Sequence, residues 1–448
     1  MNIYCASNLG QPYLDTFSSW NLLDPDEGGI PNNASSKEEE FRAQATGPLI
    51  QVQYSSDSDP EYERLLHEAL TPLPEGEAKT GNYVRSFMAG LCNQYFRFIG
   101  VNILAHQNGF DQIIDESVSW KDTFGTFELV QTSKLWDMVH WNSFYPTLPR
   151  FVRYEKDIHR DLDLKRFNYT IDGNEYIRNA TQYHVTEGHD IWVNDTHPPP
   201  FGRHPNQAEI KYKQMMKAVE RNNVNKVEKD YDIYKTILQG ALRPHPFLQR
   251  VVDETAAKLG GEANEGYMVM HLRVEPDMTK QQTCWFRKVY YVDNITDMVY
   301  REFPEPPVQT VLIVFARSLM ERQEKIASHK GKQGHLDDIN RHNLEKINDL
   351  LRNGMWGGKV KVVEAGSGTV KEAGNPYYKH YSNIAGGIVN FFLAIQAKIL
   401  VGTEVSTYST LSVNTRFFRG IKENFFYGPE GLHWVTPPNV TKPVQFKC

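Results

Sequence analysis

The stretch YMVMHLRVEPDM, residues 267–278, gives the strongest indication of the fold class because it changes abruptly from apolar to charged. Its first four residues form the short apolar run that is typical of a strand buried on both faces of a sheet. The run is followed by polar or charged residues at alternate positions: His271, Arg273, Glu275 and Asp277. Because alternate residues of an extended segment share one face, the stretch predicts a buried strand that brings polar side chains together at one sheet edge.

The same pattern recurs downstream, with helical segments between the apolar runs. The further predicted strands lie in TVLIVFAR (310–317), KVKVVEAG (359–366) and KILVGTEV (398–405). The predicted helices are 285–303, 318–328, 337–353, 384–397 and 407–419. Strands that alternate with helices predict a parallel sheet covered on both faces, and therefore an α/β fold. The most apolar segment, 383–402, is interpreted as a buried helix leading into a buried strand, so no membrane span is predicted within the chain.

The composition narrows the class of protein. The 448 residues are enough for two or three domains with a sizeable core. An apolar content of 40% and a charged content of 23% are typical of a soluble globular chain. The net charge of −6 argues against a nucleic-acid partner, because no basic excess replaces the counterions of phosphates. The cysteines are far apart in sequence, which excludes a CxxC motif and leaves disulfides and free thiols equally open.

Two regions have the composition of poorly ordered chain. Residues 1–78 are rich in Asp, Glu, Ser, Pro and Gly, which predicts a flexible acidic region with one short helix at 60–70. Residues 153–210 have a similar character and are expected to form a loop-rich insertion. Between them, apolar residues at helical spacing predict an ordered helix that includes Phe96 and Ile99.

Polar groups end all four predicted strands, so we expect them to meet at the carboxyl edge of the sheet. The groups are Arg273, Arg317, Glu364 and the segment 402–404, which STYS (406–409) follows. Ligands of open parallel α/β sheets bind just beyond this edge. The sequence therefore predicts a ligand site there.

The segment STYS predicts a helix N-terminus beside that edge. Ser406 and Thr407 are favoured N-cap residues, and the free N–H groups and partial positive charge of a helix start bind phosphate. With Arg273 as a bidentate partner, the group suits a diphosphate. Two structural alternatives stay open: the Ser/Thr pair only caps a helix, and Arg273 is only an ion-pair partner.

Other sequence motifs exclude several chemistries. The chain has no GxGxxG after a strand and no GxxxxGK[ST], which argues against a dinucleotide-dependent oxidoreductase and a P-loop NTPase. The glycine-rich EAGSGTVKEAG, residues 364–374, is predicted to be a loop. The acidic DLD at 161–163 lies in a run of mixed charge, and His197 and His204 lack ligand spacing, so we predict neither a metal nor a cofactor.

Several segments resemble motifs of the plant-type O-fucosyltransferase family, a branch of the GDP-fucose protein O-fucosyltransferase superfamily. HLRVEPDM (271–278) resembles the signature H-L-R-x-E-x-D-M, and the resemblance covers about 82–425 in the order of the family. The other similar segments are GLCNQYFRFIGVNILAHQNGFDQIIDES (90–117), SWKDTFGTFEL (119–129), ALRPHPFLQRVVDETAAKL (241–259) and VGTEVSTYSTLSVNTRFFRG (401–420).

The resemblance implies a GT-B-like fold, with two Rossmann-like lobes and a cleft between them. It divides the chain into an N-terminal lobe at 79–245 on the acceptor side, a C-terminal nucleotide-sugar lobe at 246–430 and a tail at 431–448. It implies inverting, metal-independent transfer of a sugar, with fucose from GDP-fucose favoured and related nucleotide sugars as other donors. The acceptor is a protein or glycan hydroxyl.

The resemblance also implies roles for individual residues. Catalytic roles fall on Arg273, which contacts the donor diphosphate, and on Asn93, which reaches the same region. Apart from the resemblance, Glu275, Asp277 and Asp122 are candidate bases, and for Asp277, the third predicted catalytic residue, we favour a role in bracing Arg273. The implied substrate-binding residues are Gly90, His271, Glu275, Ser406, Thr407, Tyr408 and Ser409. One departure is Leu91, which stands where the family has a second glycine.

Rival functions and the compartment remain open at this point. A catalytically inactive nucleotide-sugar- or glycan-binding protein is the main alternative, and a glycoside hydrolase is the third. Six sequons favour the lumen of the Golgi or endoplasmic reticulum: Asn33, Asn168, Asn179, Asn194, Asn294 and Asn439. The first residues, MNIYCASNLGQPYLD, lack the pattern of a signal peptide, which predicts a cytoplasmic protein if the chain is complete.

Overall fold

The computed structural model shows a mixed α/β protein whose main sheets are dominated by parallel strands. The residues that it describes are 59–74, 80–83, 91–107, 109–115, 118–121, 127–130, 132–153, 207–223, 228–260, 266–275, 291–330 and 335–445. The predicted flexible region up to residue 58 and the predicted insertion from 154 to 206 lie outside these residues. The predicted α/β fold class, with a parallel sheet covered by helices, is confirmed.

A small parallel sheet forms the strand core of the first half. Its strands have the order β1-β2-β5, and a separate antiparallel hairpin pairs β3 with β4. The strands are β1 Thr80–Tyr83, β2 Gln112–Asp115, β3 Val118–Lys121, β4 Phe127–Val130 and β5 Arg150–Val152. Residues 80 and 150 lie opposite Gln112 on either side, so β2 is the central strand.

Helices surround this sheet and account for most of the first half. They are α1 Pro60–Ala69, α2 Leu91–Gln107, α3 Thr132–Leu135, α4 Met138–Asn142, α5 Gln207–Glu220, α6 Glu228–Thr236 and α7 Pro246–Gly260, with a π-helical segment at Ile237–Ala241. Phe96 and Ile99 of α2 are buried, as their spacing predicts. Pro244 lies between the π-helical segment and α7, where the missing N–H of proline prevents a continuous helix, and Pro246 is the first residue of α7, a position that needs no N–H donor.

The helix α1 confirms the predicted short helix, and it is docked on the first half. The Tyr62 hydroxyl donates to Asp137 Oδ1 at 3.1 Å, and Lys134 forms an ion pair with Glu63 at 2.7 Å. Asn142 Nδ2 donates to the carbonyl of Ala69 at 2.7 Å. These contacts fix the helix although most of its residues are charged or polar.

A six-stranded sheet organises the second half, with the order β11-β10-β9-β6-β7-β8. Its strands are β6 Met268–His271, β7 Thr310–Val314, β8 Lys361–Glu364, β9 Ile399–Gly402, β10 Asn424–Gly428 and β11 Gly431–Trp434. All neighbours are parallel except the last pair, β10 and β11. Numbered from β6, this is the 3-2-1-4-5-6 order of dinucleotide-binding Rossmann sheets.

Helices cover both faces of the six-stranded sheet, and alternate strand residues face opposite sides. Met268 and Met270 belong to one core cluster, whereas Val269 belongs to the other. The helices that follow α7 are α8 Val292–Glu302, α9 Arg317–Lys330, α10 His335–Asn353, α11 Ser367–Glu372, α12 Pro376–His380, α13 Ser382–Gln396 and α14 Thr407–Phe418. In the described part of the chain, no helix is long and apolar enough to cross a membrane.

Two predictions about local structure were wrong. The predicted loop at 364–374 contains α11, because Gly366 takes a φ of 99° and lets the chain turn straight from β8 into a helix. The predicted tail at 431–448 begins with β11, which pairs with β10, so the sheet extends to Trp434.

The guanidinium of Arg416, in α14, is fully buried and ties several elements of the second half together. It donates to carbonyl oxygens at the C-terminus of α13 and before β10: Ala394, Ile395, Ala397, Lys398 and Glu423. Its Nε donates to the side-chain oxygen of Asn424. Burial lowers the pKa of Arg416 to about 10, so the group stays charged at neutral pH. One cation therefore satisfies carbonyls that the helix end leaves without intrahelical donors.

Replacement of Arg416 by Met is expected to destabilise the protein by at least about 3 kcal/mol. Methionine fills much of the same volume, but it leaves several buried carbonyl oxygens without a donor. Urea unfolding would measure the free energy of unfolding of both forms. The matched control is Arg352→Met, because the Arg352 side chain is 63% exposed and forms only a surface ion pair of 3.9 Å with Asp349. This substitution should change the free energy of unfolding by about 0.5 kcal/mol or less. Equal stability of the two variants would contradict this role of Arg416.

Candidate active site

The candidate site lies where the order of the second sheet reverses, between β6 and β9. The chain after β6 continues to β7 on one side, and the chain after β9 continues to β10 on the other. The two connections separate at the carboxyl edge and leave a crevice that binds ligands in this class of sheet. Arg273 follows β6 by two residues, and α14 begins shortly after β9. The structure thus places the two predicted phosphate-binding elements on the two sides of this point.

Arg273 is held in place by its backbone and by its side chain. Its backbone N–H donates to the Tyr427 hydroxyl at 2.9 Å, and that hydroxyl donates to the carbonyl of His271 at 3.1 Å. Its Nη1 forms an ion pair of 2.6 Å with Glu275, and the Arg273 side chain is 22% exposed. The guanidinium is therefore oriented by the protein and is partly exposed.

Glu275 braces Arg273 rather than facing the crevice as a free carboxylate. It is buried, with one oxygen on Arg273 and the other accepting the backbone N–H of Ala316 at 3.0 Å. This is the bracing role that the sequence suggested for Asp277. Asp277 and Asp122 lie outside the described residues, as does Gly90.

A buried hydrogen-bond chain joins β6 to the start of α14. Nδ1 of His271 lies 2.7 Å from Oγ of Ser409, and the same Oγ accepts the backbone N–H of Thr403 at 3.1 Å. The direction of the hydrogen bond between Ser409 and His271 depends on the imidazole tautomer; when Nδ1 accepts the Ser409 proton, the imidazole proton lies on Nε2. A Cβ at Gly402 would lie 2.5 Å from this hydroxyl, so only glycine fits there.

Tyr408 packs over His271 and is anchored to α13. The two ring centroids are 4.5 Å apart, and the Tyr408 hydroxyl donates to the carbonyl of Asn390 at 2.8 Å. Burial raises the pKa of Tyr408, so the phenol stays protonated. Of the predicted substrate-binding residues, Ser409 and Tyr408 thus have their hydroxyls engaged within the protein, and their direct contribution is to orient His271.

Ser406 occupies the N-cap position of α14, as predicted, with extended backbone dihedrals. Its hydroxyl makes no capping hydrogen bond, and its carbonyl accepts the N–H of Thr410 at 2.9 Å. Thr407 is the first helical residue. The first N–H groups of a helix have no intrahelical acceptors and carry partial positive charge, so they can hold an anion at this edge.

The start of α2 lies beside the start of α14. Tyr95 of α2 stacks on Phe391 of α13 with centroids 5.3 Å apart, and Phe391 also contacts Tyr408 at 6.1 Å. Cys92 is buried, and its burial raises the pKa of its thiol, which excludes it as a nucleophile at neutral pH. Asn93, the next residue, is in the first turn of α2.

Arg317 is an ion-pair partner within the protein and not a second phosphate-binding arginine. Its Nε and Nη2 hold both oxygens of Glu364, the closest contact being 2.5 Å, and its Nη1 donates to Asn348 at 3.2 Å. An arginine that follows a strand is often only an ion-pair partner, and Arg317 has this structural role. Of the described residues, no group of three His, Cys, Asp or Glu side chains is placed to hold a metal ion.

Sequence reasoning missed Tyr427, because it missed the strand that carries it. Tyr427 lies in β10 and is buried where it bridges Arg273 and His271. The aromatic segment NFFYG, residues 424–428, has the composition of a short strand and could have indicated it.

Acidification is expected to destabilise the protein through two buried histidines, His271 and His245. Burial, with nearby positive charge, lowers the pKa of each to about 3, whereas an unfolded histidine has a pKa of about 6.5. The unfolded state then binds more protons, so stability falls as the pH falls from about 6.5 to about 3. His271→Asn, which keeps an acceptor for Ser409, should lose less stability than the natural chain between about pH 7.5 and 5.

Urea unfolding at the two pH values would measure this difference. The control is His433→Asn, which replaces an exposed histidine and should follow the natural chain. An identical pH dependence of His271→Asn and the natural chain would show that His271 does not contribute.

Comparisons with known proteins find similarity only among solved structures. The chain matches no protein-family model, and no curated protein matches it. It is similar to POFUT1 in complex with GDP-fucose, with a TM-score of 0.46 and 12% identity over 79% of this chain and 99% of the other. For POFUT1 in complex with GDP the TM-score is 0.42, with 11% identity over 78% and 99% of the two chains. For the apo form the values are 0.44 and 12%, over 79% and 99%.

Proposed function

We propose that this protein is a glycosyltransferase that moves a sugar from a nucleoside diphosphate sugar to an acceptor hydroxyl, with inversion and without a metal ion. Fucose from GDP-fucose is the favoured donor, on the motifs that resemble the plant-type family. The observation that carries the proposal is the placement of Arg273 and the α14 N-terminus on the two sides of the point where the sheet order reverses. That crevice is where such sheets bind nucleotides.

Arg273 neutralises the charge that grows on the leaving diphosphate. As the bond between the sugar and the phosphate breaks, negative charge develops on the phosphate oxygens, and a donor already oriented toward them lowers the barrier. The ion pair with Glu275 and the bond to the Tyr427 hydroxyl supply that orientation before the donor arrives. A guanidinium also presents two parallel N–H groups to a phosphate, which an ammonium does not.

The start of α14 provides neutral donors to the same phosphates. Its first N–H groups need acceptors from outside the helix, and a diphosphate supplies them. In the tautomer whose Nδ1 accepts the Ser409 proton, His271 adds an Nε2–H donor. Its lowered pKa keeps it neutral at pH 7, so it contributes a directed hydrogen bond and not a second charge.

The remaining roles are assigned by the resemblance. Asn93 orients the phosphate from α2, and Gly90 lets the backbone approach it. Asp277 or Asp122 assists deprotonation of the acceptor hydroxyl. Transfer through an oxocarbenium-like transition state needs only a weak base for this step. The acceptor is a protein or glycan hydroxyl, and the compartment is the lumen of the Golgi or endoplasmic reticulum.

One observation favours the alternative of a binding protein without catalysis. Glu275 is the described carboxylate nearest in sequence to Arg273, and both of its oxygens are engaged by the protein. It therefore does not serve as a base in this conformation. A protein that binds GDP-fucose tightly but neither transfers nor slowly hydrolyses it would fit this alternative.

Replacement of Arg273 by Ala is expected to lower turnover of GDP-fucose at least about 100-fold, as with the loss of other preorganised donors to a developing anion. Arg273→Lys should recover part of the rate, because lysine restores the positive charge but not the two parallel N–H groups of the guanidinium. Slow hydrolysis of GDP-fucose by the purified full chain, followed as GDP release, provides an assay that needs no acceptor.

The control variant is Arg301→Ala, which removes an exposed arginine of α8 and should leave turnover unchanged. Thermal unfolding of each variant would verify that the fold persists. Near-normal turnover in a folded Arg273→Ala variant would refute the catalytic role, and binding without any turnover in the natural chain would establish the alternative.

A further inference from the structure

Asn439 begins a sequon that the proposed activity does not use. Of the six sequons, only Asn439-Val440-Thr441 and Asn294-Ile295-Thr296 lie within the described residues. A sequon can carry an N-linked glycan when its asparagine is at the surface and its hydroxyl residue is accessible. Both asparagines are exposed, but the two hydroxyl residues differ in accessibility, which allows one sequon to serve as the control for the other.

The sequon at Asn439 lies in a surface turn. Asn439 and Thr441 are both exposed, and the N–H of Val440 donates to the carbonyl of Pro437 at 2.9 Å to close the turn. No helix or strand hydrogen bond holds these three residues, so the segment can adopt the conformation of an acceptor without unfolding an element. A bulky glycan attached there points into solvent.

The sequon at Asn294 lies in the first turn of α8. Its asparagine is exposed, but Thr296 is only 6% exposed, and the Thr296 hydroxyl donates to the carbonyl of Asp293 at 2.8 Å. Recognition of this sequon in the folded chain requires the helix start to unwind and that hydrogen bond to break. Asn294 is therefore the poorer acceptor.

We propose that Asn439 is a site of N-linked glycosylation, a modification that goes beyond the proposed activity. The glycan donor is a lipid-linked pyrophosphoryl oligosaccharide. The Asn439 amide nitrogen forms a bond to the anomeric carbon of the oligosaccharide, and the bond from that carbon to the pyrophosphate oxygen breaks. The lipid pyrophosphate leaves with the electron pair, and one amide proton passes to a base. The modification requires the chain to enter the secretory lumen, where this donor is used.

A glycan at Asn439 would also lie near β11, which is the edge strand of the second sheet in the described part of the chain. The edge strand is β11, and its last residue, Trp434, is 45% exposed. Asn439 is five positions after Trp434 in sequence, which limits their Cα–Cα distance to about 18 Å. An exposed strand edge beside a large apolar side chain favours association between chains, and a glycan within this reach hinders it.

The test is site-resolved glycan mapping of the full chain, produced behind a cleavable secretory leader in a glycosylating cell line. Peptide-N-glycosidase treatment in ¹⁸O-water marks each formerly occupied asparagine. We expect the mark at Asn439 in most molecules and at Asn294 in few. Asn439→Gln and Thr441→Ala should each lose the mass of one glycan, whereas Thr441→Ser and Asn294→Gln should keep it.

An unmarked Asn439 would overturn the proposal, whether or not other sequons are occupied. Asn439→Gln should also self-associate more than Asn294→Gln in sedimentation, and equal self-association would overturn the role of the glycan at the β11 edge. Turnover of GDP-fucose by the same preparations reports separately on the proposed activity, so a failure of one leaves the other unaffected.

Discussion

The buried guanidinium of Arg416 is the interaction on which the rest of the second half depends. It holds the carbonyl oxygens that end α13, the segment leading to β9 and the segment before β10, all from within α14. These elements determine where β9 ends and where α14 begins. A charge without a carboxylate partner is costly to bury, and it is tolerated here because its N–H groups meet carbonyl oxygens and the side chain of Asn424. The position of the phosphate-binding helix start follows from this network.

The two sides of the crevice are linked through residues that do not face it. Tyr427 of β10 connects the backbone of Arg273 to that of His271, and Ser409 connects His271 to the turn after β9. A displacement of α14 would therefore also displace His271, and with it the segment that carries Arg273. In the proposed function, this coupling keeps the donors on the two sides of the crevice oriented before the diphosphate binds, an arrangement that stabilises a leaving group.

Much of the second half could be predicted from the sequence because its central strands are continuous apolar runs. The runs around β6, β7, β8 and β9 all proved to be strands, and STYS proved to be a helix start with Ser406 at the N-cap. The strands β10 and β11 were missed because short strands next to an edge carry mixed aromatic and polar residues. The helix α11 was missed because glycines such as Gly366 are typical of loops. Here the positive φ of Gly366 allows a helix to begin directly after β8. The bracing by Glu275 and Tyr427, and the burial of Arg416, depend on contacts between distant segments that no local pattern reveals.

The central claim is that the edge between β6 and β9 binds the diphosphate of a nucleotide, and calorimetry with GDP, GMP and guanosine tests it most directly. Removing phosphates one at a time from a constant base and ribose isolates the part of the ligand that Arg273 and the α14 N-terminus are proposed to hold. The account predicts that GDP binds much more tightly than GMP, that guanosine binds weakest, and that high salt reduces the advantage of GDP. Equal affinity for the three ligands, or no binding of GDP, would contradict it. A parallel titration with UDP would report whether the base contributes to donor selection.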